Sequence, residues 1–390
     1  MNENALARLR QFQRRALIVA GAGALLCIAG LSISPRQFFI SYLWSFIFWL
    51  GLALGCLVLA MIHSLTGGRW GDVTRRFQEA GYSTLPIMAL LFVPILFGLH
   101  VLYPWARPAD VAASVVLQKR GLYATLWPFI GRAVFVFAVW ITMAALLRRW
   151  SLRQDASRDA GATRRMRALS GPGLIIYTLT VTLAAVDWIM SLEQRWFSTM
   201  FPIIVCISQV VSALTFSILL LALFRKEPPL ARALTRDHLH QLGNLLLAFV
   251  MFWTYISFGQ LLIIYSANVP RETGWYLHRI AGNWKWIISA IALLHFFLPF
   301  YLLLFRPLKR RIGPLAALAA LVIVMRMVDV YWYVEPGFFP SGIHVSWLDF
   351  VAPITVGSIW LAAFASNLTK ADLMPRNDPR FQSEAVAHGA

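Results

Sequence analysis

Two short strings in this chain of 390 residues share one pattern, Val-Asp followed by five residues and then Glu. The first string contains Asp187 and Glu193, and the second contains Asp329 and Glu335. Both strings end long apolar stretches, where an ionisable side chain is costly unless it has a partner or lines a wet cavity. Carboxyl groups in such places can transfer protons or bind a polar headgroup. The strings therefore favour a proton, quinone or ion path over simple packing.

Other ionisable residues lie within or beside the apolar stretches. Arg132 falls about two turns below the outer surface, Arg326 precedes Asp329 by three residues on the same helical face, and Asp349 lies at the outer edge. The charges are therefore expected to converge on the outer half of the membrane. Several unpaired charges there would be costly, at about 2.5 to 3.5 kcal/mol each near a helix centre.

Two interpretations of these charges stay open. In the structural one, Arg132 and Arg326 neutralise the two aspartates of the strings as ties between helices, while the two glutamates are solvated in outer loops. In the functional one, the same groups line a wet cavity that binds a headgroup or relays protons. Both can hold together.

Two histidines are weaker candidates. His295 lies in the middle of an apolar stretch, where it could connect the inner half to the outer acids, with Tyr255 and Ser257 as hydroxyl partners, or form only an interhelical hydrogen bond. His63 follows another apolar stretch, and an imidazole is chemically suited to proton transfer, so this residue could be a proton entry point on the inner side or a helix cap.

The composition sets the fold class that must position these residues. Hydrophobic residues make up 59% of the chain and charged residues 13%, which is far from the roughly 25% charge of a soluble domain. Ten apolar stretches are long enough to cross a membrane as helices, since this takes about 20 residues. They lie near residues 16–33, 38–62, 82–103, 124–147, 171–191, 199–224, 242–266, 284–305, 313–333 and 346–368. We expect an all-α integral membrane protein with ten transmembrane helices.

The net charge of +18 follows the loops. Alternate loops and both ends hold 25 of the 35 Lys and Arg residues, whereas the other loops hold 8. Cationic loops resist translocation, so both the segment 1–15 and the tail 369–390 are expected to be cytoplasmic. The basic segment 148–167 could contact anionic lipid. No basic domain stands apart from the membrane, which argues against a nucleic-acid partner.

The domain organisation follows from loop length and from the repeated string. The longest loop, 148–170, is too short for a soluble core, so residues 1–390 form one membrane domain. The strings place helices 5 and 9 in corresponding positions of two four-helix bundles, formed by helices 2–5 (residues 38–191) and helices 6–9 (199–333), with helices 1 and 10 flanking them. Helix 1 ends in a weak small-x-small cleavage pattern, so its retention stays open.

The cysteines predict that the chain holds no metal centre of its own. Cys27, Cys56 and Cys206 are solitary and lie in apolar helices. No covalent haem motif, cysteine cluster or zinc spacing occurs in the sequence.

Six strings taken together resemble the ActF subunits of alternative complex III, which belong to the polysulfide-reductase-type, or NrfD-like, membrane proteins. They are SLTGGRWG at 64–71, DWIMSLE at 187–193, WFST at 196–199, FGQ at 258–260, YSANVP at 265–270 and RMVDVYW at 326–332. The resemblance spans roughly residues 40 to 365. Gln194-Arg195 and Arg271 depart from the pattern, in outer loops where partners would be contacted.

The resemblance implies a cofactor-free ten-helix subunit of a bacterial quinol:cytochrome c oxidoreductase in the inner membrane. Its partners would be a sister subunit of the same fold and periplasmic subunits with iron–sulfur clusters and several haems c. The matching positions Asp187, Glu193, Arg326 and Asp329 would form its polar outer site, as a quinone site or a proton conduit. Two other classes stay open: a stand-alone secondary transporter with helices broken at mid-depth, and a purely structural anchor.

Overall fold

The structure, a computed structural model, describes residues 3–157, 160–375 and 377, and within these ranges it is helical with no strands. Ten helices are long and apolar enough to cross a membrane, which confirms the predicted fold class. Numbered 1 to 10 in chain order, the spans are Ala5–Ile33, Pro35–Thr66, Arg69–Phe97, Leu126–Ser157, Gly161–Leu192, Phe201–Phe224, Arg236–Ala267, Trp284–Leu304, Ile312–Gly337 and Leu348–Leu368.

Short helices connect several spans on both sides. Leu99–Leu102, Pro108–Ala113 and Val115–Lys119 follow span 3, Pro228–Ala233 follows span 6, Pro270–Ile280 follows span 7 and Arg306–Lys309 follows span 8. Pro lies in the first turn of most of these helices, where its missing N–H costs no hydrogen bond.

Span 2 is the centre of the molecule, with 24 of its 32 residues buried. It packs against spans 3, 5, 6, 9 and 10. The closest approach is to span 6 at Gly55, where a Cβ atom would lie 1.9 Å from the carbonyl oxygen of Gln209. A small residue there lets the two backbones meet, as is common between membrane helices.

Neighbouring spans pack within each predicted half, since span 4 lies against span 5 and span 6 lies against spans 7 and 9. Span 1 packs on span 10, with Gly23 beside Thr355 and Gly30 beside Leu348. The relation of the two halves by a repeat stays a prediction.

Two predicted loops are helical. The segment 63–81 was expected to connect the second and third spans, but Arg69–Tyr82 is a helix with nearly every residue buried. The loop expected at 148–170 is replaced by the ends of Leu126–Ser157 and Ala160–Trp188. Both predictions were wrong because hydropathy marks only the apolar part of a helix, and these helices continue as polar ones.

The connections lie on two faces. On the one that we call the basic face, Arg8 pairs with Glu227, and Arg148 donates to the carbonyl of Asn367. The first residues, the connections after spans 4 and 6, and the end of span 10 therefore share that face, as the charge count predicted. On the opposite face, Arg36 donates to the carbonyl of Phe338. Residues 1–2, 376 and 378–390 of the two predicted cytoplasmic segments lie outside the described residues.

Candidate functional site

Asp187 forms the predicted ion pair with Arg132. Its carboxylate accepts from Nε of Arg132 at 2.6 Å and from Nη2 at 3.2 Å, and from the hydroxyl of Tyr123 at 2.9 Å. The three side chains line a pocket of about 240 Å³ near the opposite face. Because Asp187 on span 5 accepts three hydrogen bonds from span 4 and the connection before it, this pair is a tie between helices beside a small polar pocket.

Tyr123 also stacks under the guanidinium of Arg132, with 3.9 Å from Cζ to the ring centre. Partial burial, together with the negative charge of Asp187, raises the pKa of Tyr123 to about 12. The phenol is therefore neutral at physiological pH and stays a hydrogen-bond donor to Asp187.

Arg326 and Asp329 form an ion pair three residues apart on span 9. Each is 1% exposed. The expectation that Arg326 ties two helices together through Asp329 was wrong, since both residues lie on the same helix. The guanidinium lies 5.7 Å from the ring centre of Trp253 on span 7, and Tyr333 lies beside the pair.

His295 is fully buried in span 8, where Ile291–Phe297 is a π-helical stretch. Its ring packs edge-on against Trp253, with 4.3 Å between ring centres. Neither ring nitrogen has a hydrogen-bond partner among the described residues. The suggested partner Tyr255 is 73% exposed, and neither it nor Ser257 bonds to the ring. The interhelical hydrogen bond expected of His295 is therefore not made within the described part of the chain.

Glu193, which ends the first string, has a buried partner that the sequence did not indicate. Nη1 of Arg279 donates to its carboxylate at 2.5 Å. Nη2 of Arg279 donates to the carbonyl of Tyr333 at 2.7 Å. The expectation that Glu193 is solvated was therefore wrong: a guanidinium that is 1% exposed connects the end of the first string to the second.

Glu335, which ends the second string, was also expected to be solvated, and this was wrong. It is 0% exposed, and neither carboxylate oxygen has a hydrogen-bond partner among the described side chains. Its polar neighbours are Asp349 and Gln37. No Lys, Arg or His of the described chain pairs with it.

Asp349, at the start of span 10, has three donors. Its Oδ1 accepts from Ser41 at 2.6 Å and from Gln37 at 3.1 Å, and its Oδ2 accepts from the backbone N–H of Ser346 at 2.8 Å. Two neighbouring carboxyl groups are not both ionised in a buried site where no cation of the described chain pairs with them, so the two groups are expected to share a proton. We call Glu335 and Asp349 the acid pair.

Asp349 of the acid pair lines a groove between spans 9 and 10, and Glu335 is the buried neighbour of Asp349. The groove has a volume of about 550 Å³, and Asp349 is among its lining residues. Its walls are almost entirely apolar and include Trp44, Trp49, Met327, Tyr331, Pro353 and Gly357. Phe350 and Ile354 on its rim are more than half exposed, so the groove opens sideways toward the lipid.

His63 lies on the basic face but is buried. Its Nε2 is 3.4 Å from a carboxylate oxygen of Asp72, and the ring packs on Trp70. A Cβ on Gly71 would lie 1.9 Å from the ring, so the backbone of the next helix holds it closely. His63 therefore ties spans 2 and 3 together at this position.

A second buried cluster on this face was missed because its residues were assigned to loops. Glu79 is 1% exposed and accepts from Arg75 at 3.0 Å, Arg76 at 2.5 Å, Arg148 at 2.7 Å and Ser151. The spacing of three and four residues between the first two arginines and Glu79 is a helical signal that could have indicated it.

The predicted site residues thus form separate clusters. Asp187 lines one pocket, Arg326 lines a small one of about 20 Å³ near the centre, and Asp349 lines the large groove. The first two clusters contain their own cations, and the third has none among the described residues. Binding or proton transfer is therefore best sought at the acid pair.

A comparison of the chain with protein-family models found no match, and a comparison with curated proteins found no similar sequence.

Proposed function

We propose that this chain is a cofactor-free membrane subunit of a quinol-oxidising electron transport assembly, of the type of alternative complex III, in a bacterial inner membrane. Its role is to bind the quinol or quinone and to take up or release the protons of the reaction. The observation that carries this proposal is the acid pair, which has no cationic partner among the described residues and of which Asp349 lines an aromatic groove open to lipid.

The groove suits a flat ring with an isoprenoid tail. A volume of about 550 Å³ falls in the range of small-molecule sites, and such sites are mostly apolar with a few polar groups. Trp44, Trp49 and Tyr331 offer aromatic surfaces, and the sideways opening admits a molecule that is dissolved in the membrane.

The acid pair suits the proton chemistry. Oxidation of a quinol to a quinone releases two electrons and two protons. The acid pair can accept one proton from a quinol hydroxyl through the carboxylate of Asp349, as a general base does, and the second proton passes to water at the opposite face. The electrons pass to haem c or iron–sulfur groups of partner subunits, because the chain has no redox group of its own in this proposal.

A set of polar residues lies near the centre of the molecule. Ser208, Gln209 and Ser212 on span 6 line the small cavity that also contains Arg326 and Tyr333. The hydroxyl of Tyr177 donates to Gln209 at 2.6 Å. Such a set supports a proton path along span 6, with Arg326 and Asp329 as its fixed charges.

Purification and turnover test the proposal together. The tagged chain should co-purify with a multihaem cytochrome and an iron–sulfur protein, and the assembly should reduce cytochrome c with quinol. Asp349→Asn should slow this reaction while the assembly stays intact. A lone, monodisperse chain, or an Asp349→Asn assembly with unchanged turnover and proton release, would contradict it.

A stand-alone transporter is the second candidate, favoured by one observation. Span 8 is interrupted near mid-depth by the π-helical stretch around His295, and π-helical turns are frequent at functional sites. If the chain is a transporter, the purified protein in vesicles should carry an ion or solute without partners. A purely structural anchor, the third class, would tolerate loss of either acid in turnover assays.

A further inference from the structure

A second site lies on the opposite face, outside the spans. It is a pocket of about 820 Å³ between the connection after span 5 and the helix Pro270–Ile280. Its lining includes Glu193, Arg195, Arg271 and His278. The acid pair and its groove have no residue in common with it.

The pocket is held in place by backbone contacts from three segments. Nε of Arg271 donates to the carbonyl of Arg195 at 2.9 Å, and Nη2 of Arg120 donates to the carbonyl of Gln194 at 2.8 Å. Below them, the rings of Trp196 and Trp275 stack with 4.4 Å between centres. Trp196 is buried, so the floor of the pocket is packed.

The pocket carries a net positive charge. Its lining contains Arg195 and Arg271, and Arg120 lies beside it; among the described residues, no carboxylate pairs with these three side chains. Glu193 is in the pocket, but its charge is neutralised by Arg279. Burial and the nearby charge of Arg271 lower the pKa of Arg120. Like charges held together without a counter-ion favour binding of an anionic group.

We propose that this pocket is the docking site for an acidic segment of a protein on the opposite face. Asp and Glu side chains bind guanidinium groups with two parallel hydrogen bonds, so a set of arginines suits them well. The volume is too large for a single headgroup phosphate and fits a short turn of peptide. Its position beyond the ends of spans 5 and 7 favours a protein over a lipid.

The test uses the full chain in detergent and a labelled peptide of alternating Asp, Glu and Gly as the probe. The double variant R195Q/R271Q should lose at least tenfold in affinity for the peptide. A matched control is Lys285→Gln, which removes a charge from the same face where Lys285 lies over Trp286, outside the pocket. It should bind as the parent does.

Substitutions that reverse or keep the charge of Arg271 test whether peptide binding depends on that charge. Arg271→Glu should abolish binding of the acidic peptide, whereas Arg271→Lys, which keeps the charge but cannot make the paired hydrogen bonds, should keep only part of it. Equal melting temperatures establish that these exposed substitutions leave the fold intact. Undiminished peptide binding by the double variant would overturn the proposal. It would also fall if the parent binds phosphatidylglycerol vesicles, but not the peptide, in a manner that depends on the two arginines.

Discussion

Glu193 and Glu335 occupy the same position in the repeated string but have opposite surroundings. Glu193 pairs with the buried guanidinium of Arg279 at 2.5 Å. Glu335 is more deeply buried, has no basic partner among the described residues, and lies beside a second acid, Asp349. The carboxylate of Glu193 in the first string is therefore neutralised within the chain, whereas Glu335 in the second string needs a proton or a ligand.

The other buried acids resemble Glu193 in having a basic partner. Each has a basic partner in the described structure: His63 for Asp72, Arg75, Arg76 and Arg148 for Glu79, Arg132 for Asp187, Arg8 for Glu227 and Arg326 for Asp329. Buried ion pairs of this kind are common structural contacts, and their net stabilisation is small, but removal of one partner is costly. The acid pair lacks a basic partner among the described residues. Function is therefore expected at this pair.

The largest expected effect is on stability, from Arg279→Met. Breaking a buried ion pair leaves an uncompensated charge and costs about 3 to 5 kcal/mol. Arg279 also donates to the carbonyl of Tyr333, so that acceptor loses its donor as well. We expect a clear fall in the free energy of unfolding, measured by tryptophan fluorescence of the purified chain during denaturation in detergent.

The double variant E193Q/R279M is the control for that change. It leaves no unpaired charge, so it should recover part of the lost stability. If Arg279→Met is as stable as the parent, then Glu193 does not depend on its cation, and the contrast with Glu335 disappears.

Glu335→Gln should separate function from stability. The substitution removes no ion pair, so the free energy of unfolding should change by less than about 1 kcal/mol. If Glu335 transfers protons in the proposed reaction, quinol turnover should fall about 100-fold, as for loss of a general acid or base. Cytochrome c reduction by the purified assembly measures this.

Glu193→Gln is the matched variant, because it makes the same change in the other copy of the string. It leaves Arg279 without its carboxylate, so it should lower stability while turnover per folded molecule is kept. Equal losses of turnover in the two variants would mean that the two glutamates do not have different roles.

Gly357→Ala tests whether quinone binds in the groove that Asp349 lines. A Cβ there would lie 2.2 Å from the ring of Trp49, which donates to the carbonyl of Pro353 at 3.0 Å. The ring must move, and the groove should narrow. We expect about tenfold weaker quinone binding with a stability loss of about 1 to 3 kcal/mol, as for overpacking.

Gly131→Ala on span 4 is its control, because a Cβ at Gly131 has nothing within 4 Å. Binding of a quinone analogue, measured by quenching of tryptophan fluorescence, should weaken in the first variant and not in the second. Unchanged binding in both variants would place the quinone elsewhere.

The fold could be predicted because transmembrane helices have a simple physical cause. A bilayer leaves backbone groups without partners, so about 20 apolar residues in a row must become a helix. All ten spans were found in this way. Their polar extensions were not, because Arg69–Tyr82 is buried by protein contacts and carries charges that hydropathy counts against a span.

The candidate site could be predicted only in part. The repeated strings marked Asp187 and Asp329 correctly as buried groups, since both lie in apolar helices. The partner of Glu193 could not be read from periodicity, because Arg279 is 86 residues away in a short helix outside the spans. The contrast between Glu193 and Glu335 depends on tertiary neighbours, which a single sequence does not contain.

The smallest expected effect comes from an exposed ion pair, which tests whether burial is the cause of the contrast. Arg310 lies 3.0 Å from Asp237 on the basic face, and their side chains are 37% and 56% exposed. Exposed pairs contribute between 0 and about 1 kcal/mol, because water and salt screen them. Arg310→Gln should therefore change the free energy of unfolding by less than about 1 kcal/mol, and less still in high salt. If it destabilises the chain as much as Arg279→Met does, charge removal alone explains both results, and the buried surroundings of Glu193 and Glu335 no longer distinguish a structural acid from a functional one.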